Sequence, residues 1–358
     1  MTILDRYILK KFLSAFIFVV LTLVIVVSII DYTEKNEDFM RNELSLLEIW
    51  GYYKYFIPYI INLVTPITVF IATIFVTSRL ASHTEIIAIL SSGVSFHRLL
   101  IPYLIGGTLI AGLSFYLTGW VIPFANKERI KFEKKYIYSP FTNQDRDIHI
   151  KVSPTSYFYI ESYEVRSNMG YKPTLETIKG NVLKARLSAS RMVWKENSAK
   201  WLFKNWEFRE FQGMKETVIR GQQIDTTFQL TPEDFQNQAN KKETLTIPQL
   251  EAYITLLKNR GADNVKEFYI EKLVRFMSPF AAIVLTFIGL IVSSQKQRGG
   301  AGLQITQGFV IAFVFILSFV MSRAIAEASN SISPIFGVWL PNIIFLCLGL
   351  VMYRNVPK

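Results

Sequence analysis

The chain has 358 residues, 51% of them apolar and 19% charged, and a formal net charge of +11. The apolar residues are gathered into long runs, which excludes an ordinary soluble domain and points to a membrane protein. A single cysteine, Cys347, excludes an internal disulfide or a cysteine metal site, and His83, His97 and His149 show no metal-ligand spacing.

Six runs are apolar enough to cross a membrane: Phe12–Ile30, Tyr55–Ser78, Leu99–Asn126, Phe276–Gln295, Gly299–Ser322 and Ala328–Tyr353. The first is too long for a signal peptide and lacks a cleavage site, so it reads as a retained helix. Short loops carrying Arg6, Lys10, Lys11, Arg79, Arg98, Lys296, Arg298, Arg354 and Lys358 fall on one side, with Asp5 and Glu85 as their only acids. The segment 31–54, on the other side, holds six acids against Lys35, Arg41 and Lys54. The basic side is cytoplasmic by the positive-inside rule, which puts both termini inside. The net charge is then explained by these loops and a basic external domain. No nucleic-acid motif accompanies it.

In chain order, residues 34–54 read as an external loop with a short surface helix at 44–53. The second run carries Pro58, Asn62 and Pro66, which suits a kinked helix. Residues 79–102 form a short membrane-surface segment. Within it, Ser82–Ser92 reads as an amphipathic helix with a Ser82/Glu85 capping box, an apolar side of Ile86, Ile87, Ile89 and Leu90, and a stop at Gly93. Residues 127–264 form a polar insert. Strands are expected at 148–152, 157–161, 182–190 and 201–210, making an all-β sandwich or open barrel. Helices follow at 248–260, closed by Gly261, and at 264–275. Residues 295–302 form a tight turn.

No catalytic set emerges. The glycines near residue 300 do not make a P-loop, because no G-x-x-x-x-G-K-[ST] occurs, so any ATP binds another subunit. The spans hold almost no ionisable residues, which argues against a proton-coupled carrier. Lys35, Arg41, Arg275, Arg323 and Glu327 cluster at the outer face. They suit either anion binding or interfacial anchoring, and Glu327 stands four residues from Arg323 as its natural partner.

The segment Ser91-x-Gly93-Val94-Ser95-x-x-Arg98, preceded by Glu85 and followed by Pro102, resembles the LptF/LptG permease family. Leu4-Asp5-Arg6-Tyr7-Ile8, Val121-Ile122-Pro123 and Trp339-Leu340-Pro341-Asn342 match its other marks in order, and the first of these leans toward LptG. The resemblance implies a six-helix inner-membrane permease: helices 1–3 in residues 1–126, a periplasmic β-jellyroll-like domain in 127–264, and helices 4–6 in 265–358. It implies a subunit of the ABC transporter that extracts lipopolysaccharide and passes it to a periplasmic bridge. The implied partners are an LptB-like ATPase dimer, a second LptF/LptG-like permease and an LptC-like single-span protein. The chain itself would hold no cofactor, with ATP in the ATPase. The helix at 82–92 becomes a coupling helix, with Glu85, Arg79, Ser82, Ile86 and Ile89 meeting the ATPase. Glu85 is then either a helix cap or the partner of an ATPase cation. The outer cations become candidates for the lipopolysaccharide headgroup, and Phe16, Val20, Val27, Phe309, Phe313 and Phe315 candidate cavity walls. The alternative is a membrane-anchored structural or sensory protein whose β-domain binds an envelope partner without transport.

Overall fold

A computed structural model describes residues 3–137, 147–164, 167–196, 198–213, 215–227, 230–235, 238–262, 264–294, 300–329 and 331–354. Lys296, Arg298, Lys358 and most of the expected turn at 295–302 lie outside the described residues. The chain divides into a helical unit, residues up to Phe132 and from Tyr269, and an inserted unit, Glu133–Phe268.

The helical unit contains α1 (Ile3–Arg41), α2 (Leu46–Ser82), α3 (Glu85–Ser91), α4 (Phe96–Tyr116), a π-helical turn (Leu117–Val121) leading into α5 (Ile122–Tyr136), α8 (Val265–Ser293), α9 (Gly300–Ala328) and α10 (Pro334–Arg354). Six of these segments are long and apolar enough to cross a membrane, and the described parts of the apolar runs fall in them, except that the last run, Ala328–Tyr353, begins at the end of α9 and passes through a connection before α10. Two expectations are corrected. The surface helix at 44–53 is the beginning of α2, capped by Ser45 and Glu48, so α1 and α2 meet in a tight connection. The helix at 264–275 is the first part of α8.

The prolines of the matched motifs explain their surroundings. Pro123 offers no N–H to the Gly119 carbonyl. The chain answers with the π-helical turn just before it, in which Ile122 N–H reaches back to Leu117 O. Pro341 likewise leaves the Gly337 carbonyl without its helical donor, and the Ser322 hydroxyl donates to it from α9. Asn342 then donates to Met277 O at 3.2 Å, so the turn of α10 from Gly337 to Asn342 is tied to both α9 and α8. In the other half, Asn62 Oδ1 accepts from Ser114 at 2.8 Å and Thr118 at 3.1 Å, joining α2 to α4 beside the π turn.

Small residues let the helices approach closely. A Cβ on Gly308 of α9 would lie 2.1 Å from Ile74 Cδ1 of α2, and one on Gly106 of α4 would lie 2.6 Å from the Phe12 ring of α1. Phe70, Ile74, Leu285, Ile288, Phe315 and Phe345 fill one core of the unit. By contrast, α1 and α9 are the least buried of the six spans. Phe16, Val20 and Phe315 pack inside the chain, whereas Phe309 and Phe313 point outward.

The inserted unit carries β1 (Ile148–Ser153), β2 (Ser156–Ile160), β3 (Ser162–Glu164), β4 (Met169–Tyr171), β5 (Thr174–Lys179), β6 (Val182–Lys195), β7 (Lys200–Gln212) and β8 (Lys215–Thr226), then α6 (Gln238–Thr244) and α7 (Ile247–Arg260). The strands form one antiparallel sheet. The long strand β6 pairs with β5 and β4 along one edge and with β7 along the other. Gly261 closes α7 in the left-handed conformation, φ +67°, as expected of a helix-ending glycine.

The two faces of the sheet differ as period-2 alternation requires. One cross-strand row runs Ile150–Phe158–Leu175–Leu187–Phe208–Ile219 and is apolar throughout. The adjacent row on the other face runs Lys151–Tyr157–Glu176–Arg186–Arg209–Val218. Phe158, Ile160, Tyr163, Met192, Trp201 and Phe203 form the buried core under the apolar face. Leu230 and Phe235 cover it, with Trp201 Nε1 donating to Leu230 O at 2.7 Å. The covering is one-sided: Phe158 is 1% exposed and Ile219, at the far end of the same row, 54%.

Candidate functional site

The loop between α2 and α4 is short and held by helix-end chemistry. The expected capping box is not formed. Ser82 is still inside α2, so its hydroxyl turns back to Arg79 O at 2.9 Å instead of capping the next helix. Thr84, at φ +60°, makes the turn, and α3 starts only at Glu85. Gly93, φ +86°, ends the segment, and Ser95 caps α4 by accepting from Arg98 N–H at 3.3 Å. Of the expected apolar side, Ile86 is buried within the chain and Ile89 half-buried, while Ile87 is turned outward and 50% exposed. Ile87, Ala88 and Ser91 therefore make the free side of α3. Arg79 and His83 are exposed beside it. Ile86, expected to meet a partner, instead anchors α3 to its own chain.

Glu85 has partners from α1, 78 and 74 residues away. Its carboxylate accepts from Tyr7 Oη at 3.0 Å and faces Lys11 Nζ at 3.6 Å. Lys11 also lies over the Tyr7 ring at 4.2 Å. The Glu85 side chain keeps 35% of its surface exposed. The other acid of the basic side, Asp5, is buried and pairs with Arg98 at 2.6 Å. Two of the matched motifs, at the beginning of α1 and at the α3–α4 junction, are thus one contact. The signal was in the sequence as the only two acids among many bases, but their partners were not legible from spacing.

At the opposite ends of the spans the predicted cations fall into two groups. Lys35 and Asp31 pair at 2.7 Å, one turn apart on α1. Lys35 also donates to Tyr52 Oη and lies over the Tyr52 ring at 4.7 Å, and Tyr53 Oη donates to Asp31 at 3.1 Å. Arg41, the last residue of α1, is exposed. The second group joins α8 to α9. Arg323 binds Glu327 at 3.0 Å, as the spacing suggested, and Glu271 at 3.0 Å. Glu271 also holds Arg275 at 3.3 Å. The Arg275 side chain is only 3% exposed, which places it inside the protein and not at a ligand-facing surface. Sequence reasoning passed over Glu271, although it stands four residues before Arg275 on what proves to be one helix. It also passed over Lys127 and Lys131, exposed one turn apart on α5, and over Arg129, whose guanidinium lies over Tyr59 at 4.4 Å.

On the polar face of the inserted sheet, Glu207 accepts from Arg209 and, at 2.6 Å, from Arg220. These hydrogen bonds hold its carboxyl below the usual range.

What this arrangement offers chemically is binding and movement: a loop with one free helical side, two charge clusters at the other ends of the spans, and a half-covered apolar sheet face. No curated protein matches the chain. The family described as lipopolysaccharide export system permease LptF/LptG matches residues 6–355, nearly the whole sequence, including the six spans and the β-sheet insert. The chain therefore belongs to the LptF/LptG family of lipopolysaccharide export permeases.

Proposed function

We propose that the chain is an inner-membrane subunit of a lipopolysaccharide extractor, with both termini and α3 cytoplasmic and the inserted sheet periplasmic. Its partners are a second LptF/LptG-like permease, an LptB-like ATPase dimer and an LptC-like single-span protein that receives the lipid. The family match over nearly the full length carries this reading. The exposed apolar side chains of α1 and α9, among them Ile17, Phe18, Leu21, Phe309 and Phe313, suit contact with a second permease and with acyl chains.

ATP is bound and hydrolysed in the separate subunit, which docks on Ile87, Ala88 and Ser91 of α3. Glu85 and Arg79 flank that surface, and the partly exposed Glu85 carboxylate meets a cation of the ATPase. Ser82 and Ile86 shape the loop from within, and Ile89 supports its apolar side. Phosphates of the lipopolysaccharide headgroup are met at the outer face by Arg41, Lys35 and Arg323, the last two by exchanging partners with Asp31, Glu271 and Glu327. Arg275 holds Glu271 in place. Acyl chains then pass along the apolar row from the exposed Ile219 toward Phe158.

The test is gentle purification from the native host, identification of the associated chains, and ATP-driven release of lipopolysaccharide from proteoliposomes. A photo-crosslinker at Leu187 or Phe208 should capture lipopolysaccharide only when ATP is turned over. Capture that ignores ATP would leave a binding domain without transport. Cysteine reporters at Ser91 and Ser198, in a Cys347→Ser background, should label from opposite sides of the membrane. Labelling from one side would overturn the topology.

A further inference from the structure

The beginning of α1 grips both ends of the cytoplasmic loop. Asp5 holds Arg98, at the start of α4, at 2.6 Å. Tyr7 and Lys11 hold Glu85, at the start of α3, at 3.0 and 3.6 Å. Between these polar contacts Ile8 and Phe12 are buried, and Phe12 packs on the Tyr103 ring at 5.5 Å and closes over Gly106. The loop cannot shift without pulling on α1.

α1 is also the one span among those described whose helix contains neither glycine nor proline. Its neighbours carry helix-kinking residues: Pro58 and Pro66 in α2, Pro102 and then the π turn in α4, Pro279 in α8, Pro341 in α10. Helices bend sharply at such positions and absorb displacement there. A 39-residue helix without them is a rod roughly 58 Å long. Its far end carries Lys35 and Arg41, with Phe39 buried against Tyr52 at 6.3 Å.

We propose that α1 is the rod that carries displacement of the cytoplasmic loop to the outer face, and that Asp5, Tyr7 and Lys11 are the positioning residues that attach it. The inference rests on the reading that an ATPase docks on this loop. It adds that the push reaches the outer cations through α1, while the hinged spans yield.

The assay uses the complete complex in proteoliposomes and reads three quantities: retained ATPase subunit, ATP hydrolysed, and lipopolysaccharide released per ATP. Asp5→Ala and the Tyr7→Phe/Lys11→Met pair should keep the ATPase subunit and its hydrolysis. Release per ATP should fall about tenfold, within the range of ordinary coupling energies between sites. An Asp5→Arg/Arg98→Asp swap should recover most of the loss. Asp5 also sits where a helix N-terminus favours an acid, and that purely local role predicts no recovery by the swap. Unchanged release per ATP in both Asp5→Ala and Tyr7→Phe/Lys11→Met would overturn the rod. Loss of the ATPase subunit from the Asp5→Ala complex would also overturn it, by making α1 part of the dock. Failure of the docking reading itself looks different: Glu85→Gln would then leave ATPase retention and transport intact.

Discussion

Replacing Glu271 by glutamine tests whether the outer charge cluster is organised around that residue. The carboxylate is 12% exposed and serves two arginines, Arg275 at 3.3 Å and Arg323 at 3.0 Å. Arg275 is 3% exposed, so weakening its ion pair falls in the buried regime, where losing one partner costs about 3–5 kcal/mol. Glutamine keeps an acceptor oxygen in nearly the same place, which returns about 1 kcal/mol as a hydrogen bond. Arg323 is 29% exposed and retains Glu327, so its share is that of a surface pair, up to about 1 kcal/mol. The expected loss for Glu271→Gln is therefore about 3 kcal/mol. Glu327→Gln, at a 35% exposed side chain, should cost about 0.5 kcal/mol. Thermal unfolding of the detergent-solubilised protein, followed by loss of the monodisperse peak, ranks the two variants under one condition. If Glu271→Gln unfolds no earlier than Glu327→Gln, the cluster is not centred on Glu271 and the argument from burial fails.

Gly308→Ala should destabilise the helical unit by about 1–3 kcal/mol through overpacking, because its Cβ would lie 2.1 Å from Ile74 Cδ1. Ile74→Val removes that atom and should relieve much of the cost, which a double-mutant cycle in the same thermal assay measures. Ser322→Ala withdraws the donor that serves the Gly337 carbonyl and should cost about 0.6–2 kcal/mol, the range for hydrogen bonds in membrane helices. In the inserted sheet, Phe158→Ala should cost about 3–5 kcal/mol and Tyr157→Ala far less, read as protease susceptibility of that unit in the whole protein. The Glu207 carboxyl is held below its unfolded value, so its contribution is complete above the ordinary carboxylate range and disappears as pH falls through the depressed value. Glu207→Gln should flatten that acid limb of the stability curve.

Hydropathy located all six spans but not their ends. The apolar window marks where lipid touches a helix, whereas the helix itself is set by backbone hydrogen bonding and runs on through polar residues. α1 therefore continues to Arg41 past Asp31 and Lys35, and α8 begins at Val265, well before its first apolar run. The capping pattern S-x-x-E occurs at both Ser45 and Ser82, and only the first is a cap. Ser45 follows Glu43, which leaves the helix at φ +51°, so its hydroxyl is free to serve Glu48 N–H. Ser82 is still enclosed by α2, which continues to it from Arg79 without a break. Four strands escaped notice for different reasons. β3 and β4 are three residues each, β5 alternates weakly, and β8 is mostly polar, with Val218, Ile219 and Ile224 too scattered to make an alternating run.

The candidate site was legible as a set of charges and illegible as a set of pairs. Spacing can suggest a partner one helical turn away, and it did so for Arg323 and Glu327. It says nothing of Glu271, 52 residues before Arg323, or of Tyr7 and Lys11 beside Glu85. The omission matters because an ion at the edge of a bilayer is costly until it is paired. Five of the cations noticed in the sequence are already paired within the chain: Lys35 with Asp31, Arg275 with Glu271, Arg323 with Glu271 and Glu327, Arg98 with Asp5, Lys11 with Glu85. A phosphate that reached the paired outer cations would not fill an empty place; it would compete with a carboxylate. Such competition would make binding and rearrangement the same event, since each new pair formed would release an old one. The pairs such a ligand would open are Glu271–Arg323 between α8 and α9 and Asp31–Lys35 within α1. A permease that must move when loaded is served better by charges held in exchangeable pairs than by cations left open.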